Sequence, residues 1–476
     1  MSLRAGNGPR GMTEKLLGCR FEELTDSARV SPCADHIVLS GLGANGPEAL
    51  EAFERAPGID LAIAYEPNCL RNDERSLSEP RWTEALRRVG VLRGRPGIGF
   101  PASVHLERFG APGRTLVGDD PRLYLLGGVG MLPLVVSTEQ ALRVLGGEPL
   151  SFATPRIMQI LLSGKLNPSV AARDVALSLL RMNLRERTET LAKASGCPVV
   201  LEFTGPGLRN LSVQERALLC SLAPEVGAWS AVAGSDEKTE LYLRDQRRSK
   251  AHRQLSPDAG AGCADVMRLE LGGVEPLVQL ADGTIAALGE REFQPVREIV
   301  LGGEVSGTLR DVLSAAQWFK SKRAQPDIDL VIVPATRQTL EAMTSDGTLA
   351  LLLSAGARLL PPDARWFTAE WQPPPNVGQS VRSFTPSPHA ARAGAAWAVA
   401  STETLCQAAI AGRLQDPRLL RRATKVPCPR ELPIDDTWLF DRKPSLLPPP
   451  LPRGPQLVSD TAASEWLETP ASQSAQ

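Results

Sequence analysis

The stretch LGGEVSGTLRDV, residues 301–312, places a carboxylate in a position where proton chemistry is possible. It follows the apolar pair Ile299-Val300, so we interpret it as a buried strand that leads through a glycine-rich turn into a helix. Glu304 lies at the tip of this turn. Burial raises the pKa of a carboxyl group towards neutrality, where it can give or take a proton.

A second glycine-rich turn has the spacing of a dinucleotide-binding site. Gly41, Gly43 and Gly46 follow the pattern G-x-G-x-x-G between an expected strand and helix, and Glu66 ends the next strand. In a true site the glycines would admit the pyrophosphate and Glu66 would bind a ribose hydroxyl. Pro47, however, removes an amide that should face the phosphate. Since short glycine patterns also recur by chance in α/β turns, we rank this interpretation last.

The elements that must position these residues alternate between strands and helices. Short runs rich in Val, Ile and Leu are separated by helical patterns, which is typical of α/β layers. The clearest strands are expected in HIVLS, IDLAIAY, PRIMQILLSG, PVVLEF, REIVLGG and IDLVIVPA, and the clearest helices in PEALEAFERA, VQERALLCSLAPEVGA and TETLCQAAIAGRL. We therefore predict an α/β fold.

Composition narrows the function classes. The 476 residues suggest about three domains at roughly 100 to 200 residues each. The net charge of -1 predicts neither a nucleic-acid nor an anionic-membrane partner. No run of about 18 apolar residues could span a bilayer, and the N-terminus lacks the apolar segment of a secretory signal. We expect a cytoplasmic protein.

Cysteine and histidine usage argues against a classical metal centre. The eight cysteines include no C-x-x-C pair, and the four histidines include no two at metal-ligand spacing. We expect no bound metal.

Longer motifs resemble a known family. The segment CPVVLEFTGPGLRNLSVQERALLCSLAPEVGAWSAVAGSDEKT, residues 197–239, resembles the large subunit of the aconitase, homoaconitase and 3-isopropylmalate dehydratase superfamily. Related stretches are LLSGKLNPSVAARDVALSLL, IVLGGEVSGTLRDVLSAA, IVPATRQTLEAMTSDG, LLLSAGARLLPP and STETLCQAAIAGRLQDPR. The resemblance covers roughly residues 12–424. It also explains the GANGPEALEAFE turn, which stands where the family opens its first helix.

The resemblance implies three α/β/α domains around a central cleft, without the fourth, swivelling domain. We expect aconitase-like domains at 1–152, 153–292 and 293–428, and a Pro/Ser-rich linker or disordered tail at 429–476. Members of this length obtain the missing domain from a separate small subunit. A small-subunit protein partner is therefore implied.

The family holds a [4Fe-4S] cluster by three cysteines, and the matching positions here have none. Glu304 stands at the first ligand position, and Ala364 and Phe367 stand at the other two. Carboxylate, methyl and phenyl groups do not replace thiolates as cluster ligands, so we predict no iron-sulfur cluster. We expect Phe367 to fill part of the vacated volume.

The family's catalytic periphery has changed as well. Its Asp-His pair falls at about Tyr65-Glu66, and its glycine-turn histidine falls at about Ser103. Its Gly-Asp-Ser-His motif falls at Gly118–Pro121, where Asp119 is retained and Asp120 stands in place of the serine. The family's substrate segment matches Ser380–Phe384 and retains Arg382. The candidate catalytic residues are Glu304, Glu66 and Asp119, and the candidate substrate-binding residues are Arg382, Arg365, Asp120 and Ser103.

Two functions remain open. The cleft could perform cofactor-free acid-base chemistry on a small di- or tricarboxylate, as a lyase or isomerase, with Arg382 binding a carboxylate as a planar fork. An ion pair between Glu304 and Arg365 is an equal alternative to catalysis by Glu304. The chain could instead be an inactive pseudoenzyme that acts as a scaffold or regulator of a dehydratase partner.

Overall fold

The structure is a computed structural model, and it describes most of the chain. The described residues are 8–18, 29–42, 46–51, 58–66, 80–290, 292–363, 377–385, 396–420, 426 and 431–439. Three predicted site residues, Ala364, Arg365 and Phe367, lie outside them.

The first sheet has five parallel strands in the order β4-β3-β2-β5-β6. Its strands are β2 (His36–Leu39), β3 (Leu61–Tyr65), β4 (Leu92–Gly94), β5 (Thr115–Gly118) and β6 (Leu132–Val135). Its helices are α1 (Met12–Leu17), α2 (Gly46–Glu51), α3 (Pro80–Arg88), α4 (Pro101–Arg108) and α5 (Thr138–Leu145). A short antiparallel pair, β1 (Arg29–Val30) with β7 (Phe152–Ala153), lies outside this sheet.

The second sheet has four parallel strands in the order β10-β9-β8-β11. They are β8 (Arg156–Ser163), β9 (Val199–Thr204), β10 (Ser230–Ala233) and β11 (Asp265–Glu270). The helices are α6 (Ala172–Arg181), α7 (Leu184–Ser195), α8 (Val213–Cys220) and α9 (Glu237–Asp245). All six residues of β9 are buried, as expected for a central parallel strand. They include Glu202, whose carboxylate accepts hydrogen bonds from the backbone N–H and the hydroxyl of Thr13.

The third sheet has seven strands in the order β13-β12-β18-β17-β14-β15-β16. They are β12 (Leu277–Leu280), β13 (Ile285–Ala287), β14 (Val296–Gly302), β15 (Asp329–Val333), β16 (Ala357–Leu359), β17 (Gln379–Arg382) and β18 (Trp397–Ala400). Its helices are α10 (Gly303–Ser306), α11 (Leu309–Phe319), α12 (Arg337–Ser345), α13 (Thr348–Ser354) and α14 (Thr402–Ala411). The expected α/β class is confirmed, with each sheet packed against helices.

One edge of the third sheet is an antiparallel hairpin. The strand β12 pairs with β13 on one side and with β18 on the other. Residues 277–287 thus belong to the third sheet, although we predicted the second domain to extend to residue 292. The hairpin is short and far along the chain from β18, so the local pattern did not indicate its pairing.

Each sheet has its own apolar core. Buried clusters centre on Leu201 and Phe203 in the second sheet, Ile299 and Leu330 in the third, and Ile37 in the first. Within the part of the chain that the structure describes, no helix is long and apolar enough to cross a bilayer.

Residues 431–439, which we call the C-terminal clasp, return to the first and third sheets. Arg108 on α4 binds both carboxylate oxygens of Asp436, at 2.7 and 2.8 Å. The Arg337 guanidinium lies 4.5 Å from the centroid of the Trp438 ring, and Leu439 is buried. This part of the predicted linker, 429–476, is therefore docked, because charge pairing and apolar burial offset the entropy of ordering it.

Two histidines, His36 on β2 and His105 on α4, pack against each other. His36 Nδ1 lies 3.1 Å from His105 Nε2, and the Tyr65 hydroxyl lies 3.3 Å from His105 Nδ1. Both histidine side chains are buried. Burial lowers the pKa of His36 to about 4 and holds the pKa of His105 well below its usual value.

We expect both histidines to stay neutral through the physiological range. The Cε1 proton shifts of His36 and His105 should therefore remain constant between pH 5.5 and 8 in NMR titrations, with assignment by His36→Asn and His105→Asn. Unfolding exposes both groups to protonation near pH 6.5, so they reduce stability as the pH falls below that value. A titration midpoint near 6.5 for either folded-state signal would contradict this.

Candidate functional site

The turn after β14 forms as the sequence predicted. Gly302 has φ 146° and Gly303 has φ 81°, and a Cβ on Gly302 would lie 2.2 Å from the Val333 carbonyl oxygen. Only glycine fits this conformation without a clash with β15. The turn places Glu304 on the short helix α10, beside the carboxyl ends of β15 and β17.

The carboxyl edges of the first and third sheets meet near Glu304. Phe100 N–H donates to the Ala335 carbonyl at 2.9 Å, and Arg337 N–H donates to the Ile98 carbonyl at 2.8 Å. These bonds hold the start of α4 against the residues that follow β15. Crevices outside the carboxyl ends of parallel strands are the usual ligand sites of α/β folds.

Glu304 is bound from several directions. Its Oε1 accepts a hydrogen bond from Ala102 N–H at 2.8 Å, in the first turn of α4. Its Oε2 lies 3.0 Å from Arg122 Nε. Ser103 Oγ donates to the Glu304 carbonyl at 2.9 Å. The carboxylate therefore caps the N-terminus of α4, where free backbone amides and the helix dipole favour negative charge.

Asp120 completes the group through Arg122. Its Oδ1 accepts from both the backbone N–H and Nε of Arg122, each at 2.9 Å. Asp120, Arg122 and Glu304 form what we call the Glu304 cluster. The structure thus brings together three residues predicted separately for the site, Ser103, Asp120 and Glu304, at contact distance.

The electrostatics of the Glu304 cluster favour an exchangeable proton. Burial raises the pKa of Glu304 to about 7, an effect that Arg122 partly offsets and Asp120 reinforces. Both acidic side chains are almost fully buried, whereas the side chain of Arg122 is 37% exposed. The Arg122 guanidinium thus reaches solvent, whereas the carboxyl group of Glu304, which titrates near neutral pH, stays buried beside it.

Asp119 stabilises the glycine-rich turn at Gly41, which follows β2. Its oxygens accept from Ser40 N–H at 2.6 Å, from Gly41 N–H at 2.9 Å and from Thr138 Oγ at 2.9 Å. These amides are the ones that a cofactor phosphate would need, and Asp119 occupies them. A Cβ on Gly46 would overlap the ring of Trp82, so this glycine serves close packing. Gly43 lies outside the described residues.

Arg382 is held inside the third sheet. It is 1% exposed, and its Nη2 lies 2.9 Å from Glu298 Oε1 on the neighbouring strand β14. Its Nε donates to Ser380 Oγ at 2.9 Å, and the same hydroxyl donates to Glu298 at 2.6 Å. The predicted carboxylate fork thus already binds an internal carboxylate. Glu66, at the end of β3, is also buried.

At the first ligand position that the resemblance implies, the residue present does not fit a thiolate-bound cluster. At the first ligand position the Glu304 carboxylate is engaged with a helix amide and an arginine. Among the described residues, no three His, Cys, Asp or Glu side chains converge as a metal site. The other two ligand positions, Ala364 and Phe367, are outside the described residues, so the predicted filling by Phe367 stays a prediction.

Arg122 is the residue of the Glu304 cluster that sequence reasoning missed. The available signal in the sequence was its position two residues after Asp120, in the turn that follows β5. Its pairing with Glu304 depends on the packing of the first sheet against the third and has no local pattern. We predicted Arg365 as the possible ion-pair partner of Glu304. Residue type alone does not distinguish Arg122 from Arg365 in this role.

Comparison with known proteins agrees with the resemblance. The family described as Aconitase family (aconitate hydratase) matches residues 81–283. The large subunit 1 of 3-isopropylmalate dehydratase from Thermotoga maritima is 25% identical over 352 residues, covering 72% of this chain and 82% of that protein. Large subunit 2 from Archaeoglobus fulgidus is 26% identical, covering 64% and 70%.

A solved structure is also similar. The holo-form of Thermococcus kodakaraensis aconitase X aligns with a TM-score of 0.43 and 9% identity, over 84% of this chain and 91% of that one. In sequence, residues 81–283 match the aconitase family, and the chain is similar to 3-isopropylmalate dehydratase large subunits.

Proposed function

We propose that this protein performs acid-base chemistry on a small di- or tricarboxylic acid, as a lyase or isomerase that works without an iron-sulfur cluster. The observation that carries the proposal is the carboxyl group of Glu304, buried beside Arg122, with its pKa raised to about 7. The related chains are 3-isopropylmalate dehydratase large subunits, which supports a substrate of that class.

Glu304 would move the proton. A group whose pKa lies close to the working pH is both protonated and ionised in useful amounts, which suits a general acid or base. The donor set at Glu304 does not fit a thiolate-bound cluster, so the proton passes directly between Glu304 and the substrate. Proton transfer next to a substrate carboxylate is then the reaction that the residues support.

Arg122 would bind the substrate carboxylate. Its side chain is partly exposed, and Asp120 fixes its orientation through two hydrogen bonds. A guanidinium binds carboxylates with directional hydrogen bonds. Asp120 and Ser103 would then hold the site without contacting substrate, while Arg365 stays a candidate ligand. We further propose a cytoplasmic protein with a small-subunit partner, as expected for a large-subunit relative.

Calorimetric titration with a panel of di- and tricarboxylates tests this function. We expect binding that weakens at least about tenfold in Arg122→Leu, since a charge-assisted hydrogen-bonded pair contributes roughly 1.5 to 3 kcal/mol. Arg143→Leu, an exposed arginine on α5, serves as the matched control. Unchanged binding in Arg122→Leu would sink the assignment. Stoichiometric iron and sulfide in anaerobically purified protein would also overturn the cluster-free site.

A second function has specific support. Arg382 and Asp119, the residues retained from the family's motifs, are both engaged internally, with Glu298 and with backbone amides. This favours a non-catalytic relative that acts as a scaffold or regulatory subunit. Co-purification with a small subunit or an active dehydratase, together with no turnover of any panel acid by the resulting complex, would select it.

A further inference from the structure

A narrow internal cavity lies beside Glu304. Its polar lining consists of Ser103, Glu107, Gln214, Tyr242, Glu304 and Thr308, and it has room for about one water molecule. The walls come from α4, α8, α9 and the turn after β14. The cavity therefore connects the Glu304 cluster with the face of α4 that carries Ser103 and, one turn later, Glu107.

Two atoms of the cavity lining have unmet hydrogen-bonding capacity. Among the described residues, the Tyr242 hydroxyl makes no hydrogen bond, and Glu304 Oε2 has its ion pair with Arg122 but no hydrogen bond. Leaving a buried polar group unsatisfied costs about 1 to 3 kcal/mol. A water molecule bonded to these atoms would remove that cost, since buried waters typically satisfy such groups.

Glu107 borders this cavity and a second one. The second, outer cavity is lined also by Arg108, Thr336, Arg337, Glu341 and Asp435, and it too has room for about one water molecule. Glu107 Oε1 accepts a hydrogen bond from Thr336 Oγ at 3.1 Å. Glu107 is thus a titratable group that borders both cavities. In the outer cavity Asp435 is exposed, and Arg337 and Glu341 are half-buried.

We propose that Glu107 relays protons between solvent and Glu304 across the two cavities. The inference rests on the acid-base function proposed above, and Glu107 acts through Glu304 without contacting substrate. When Glu304 has given up its proton, the O–H bond of protonated Glu107 breaks and its proton passes through the cavity water to the Glu304 carboxylate. The Glu107 carboxylate then takes a proton from a solvent water molecule, whose O–H bond breaks to leave hydroxide in the solvent. In the reverse reaction each proton moves the other way.

The proton affinities of the two carboxyl groups are compatible with this exchange. Burial raises the pKa of Glu107 to about 8, although the hydrogen bond from Thr336 and the charge of Arg108 lower it in part. The pKa of Glu304 is raised to about 7. Transfer between groups of similar pKa has no large uphill step.

Hydrogen-deuterium exchange of the Glu304 carboxyl group tests the relay without any substrate. At pH 6 the infrared carbonyl band of protonated Glu304 is identified as the band absent from Glu304→Gln. On transfer of the full-length protein to D2O, we expect the isotope shift of this band to slow by about tenfold or more in Glu107→Gln, because exchange must then await local opening of the packed interior. Tyr242→Phe should slow it to a smaller degree.

Glu341→Gln is the matched control, since Glu341 lines the outer cavity but not the inner one. It should leave the rate unchanged. Equal exchange rates in wild type, Glu107→Gln and Tyr242→Phe would overturn the relay. The exchange measurement does not depend on turnover. If exchange slows in Glu107→Gln but no carboxylate of the panel binds, the proposed function is wrong and the relay stands. If a carboxylate binds but exchange is unchanged in Glu107→Gln, the relay is wrong and the proposed function stands.

Discussion

Replacement of Arg382 by alanine should lower the free energy of unfolding by about 3 to 5 kcal/mol, because it leaves a buried charge without its partner. Arg382 and Glu298 are 1% and 4% exposed, and they join strands β17 and β14 in the middle of the third sheet. Urea denaturation at pH 7 measures the change. The result decides whether this residue, retained from the family's substrate segment, serves stability in this chain.

The same sheet offers a matched control. Arg358 and Asp329 form an equivalent pair between β16 and β15, but their side chains are 51% and 41% exposed. Exposed pairs contribute about 0 to 1 kcal/mol, so Arg358→Ala should have a small effect. If Arg382→Ala costs no more than Arg358→Ala, Arg382 does not carry the structural role assigned to it, and the prediction that it binds substrate regains weight.

Replacement of Glu304 by glutamine should change how stability depends on pH. The pKa of Glu304 is about 7 in the folded protein and near 4.5 when unfolded, so between these values the folded state binds the extra proton. Stability therefore falls as the pH rises from about 4.5 to 7, by on the order of 2 to 3 kcal/mol for this group. Glutamine cannot ionise, and the variant should lack this contribution.

The measurement is the difference in unfolding free energy between wild type and Glu304→Gln at pH 5, 6, 7 and 8. Other buried carboxyl groups with raised pKa values, such as Asp174 and Asp311, are common to both proteins and cancel in the difference. Glu139→Gln, at an exposed position on α5, should give a difference that does not vary with pH. If the difference in unfolding free energy for Glu304→Gln is also independent of pH, Glu304 is ionised in the folded protein from pH 5 to 8.

Much of the fold could be predicted from the chain itself. The apolar runs at Ile37, Val200 and Val300 all lie in strands, and the glycines at 302 and 303 turn the chain as expected. These features are local, since a buried parallel strand needs a continuous apolar run and a tight turn needs glycine.

Only part of the candidate site could be predicted from the sequence. Ser103, Asp120 and Glu304 do meet, but the connection depends on Arg122, whose position follows from how two sheets pack. Likewise, the internal pairing of Arg382 with Glu298 requires knowing that β14 and β17 are neighbours, which no local spacing specifies. Residue types indicated the chemistry that is possible, whereas the partners that each side chain already has came only from the tertiary structure.

The C-terminal clasp affects how the protein should be produced. A recombinant version that stops at residue 428, the end of the predicted third domain, would lose the Asp436 carboxylate that binds Arg108 and the indole that covers Arg337. Arg108 immediately follows Glu107 on α4, so such a shortened version would disturb the outer cavity that the proton relay requires. Purification tags are better fused after residue 439, with the docked segment kept intact.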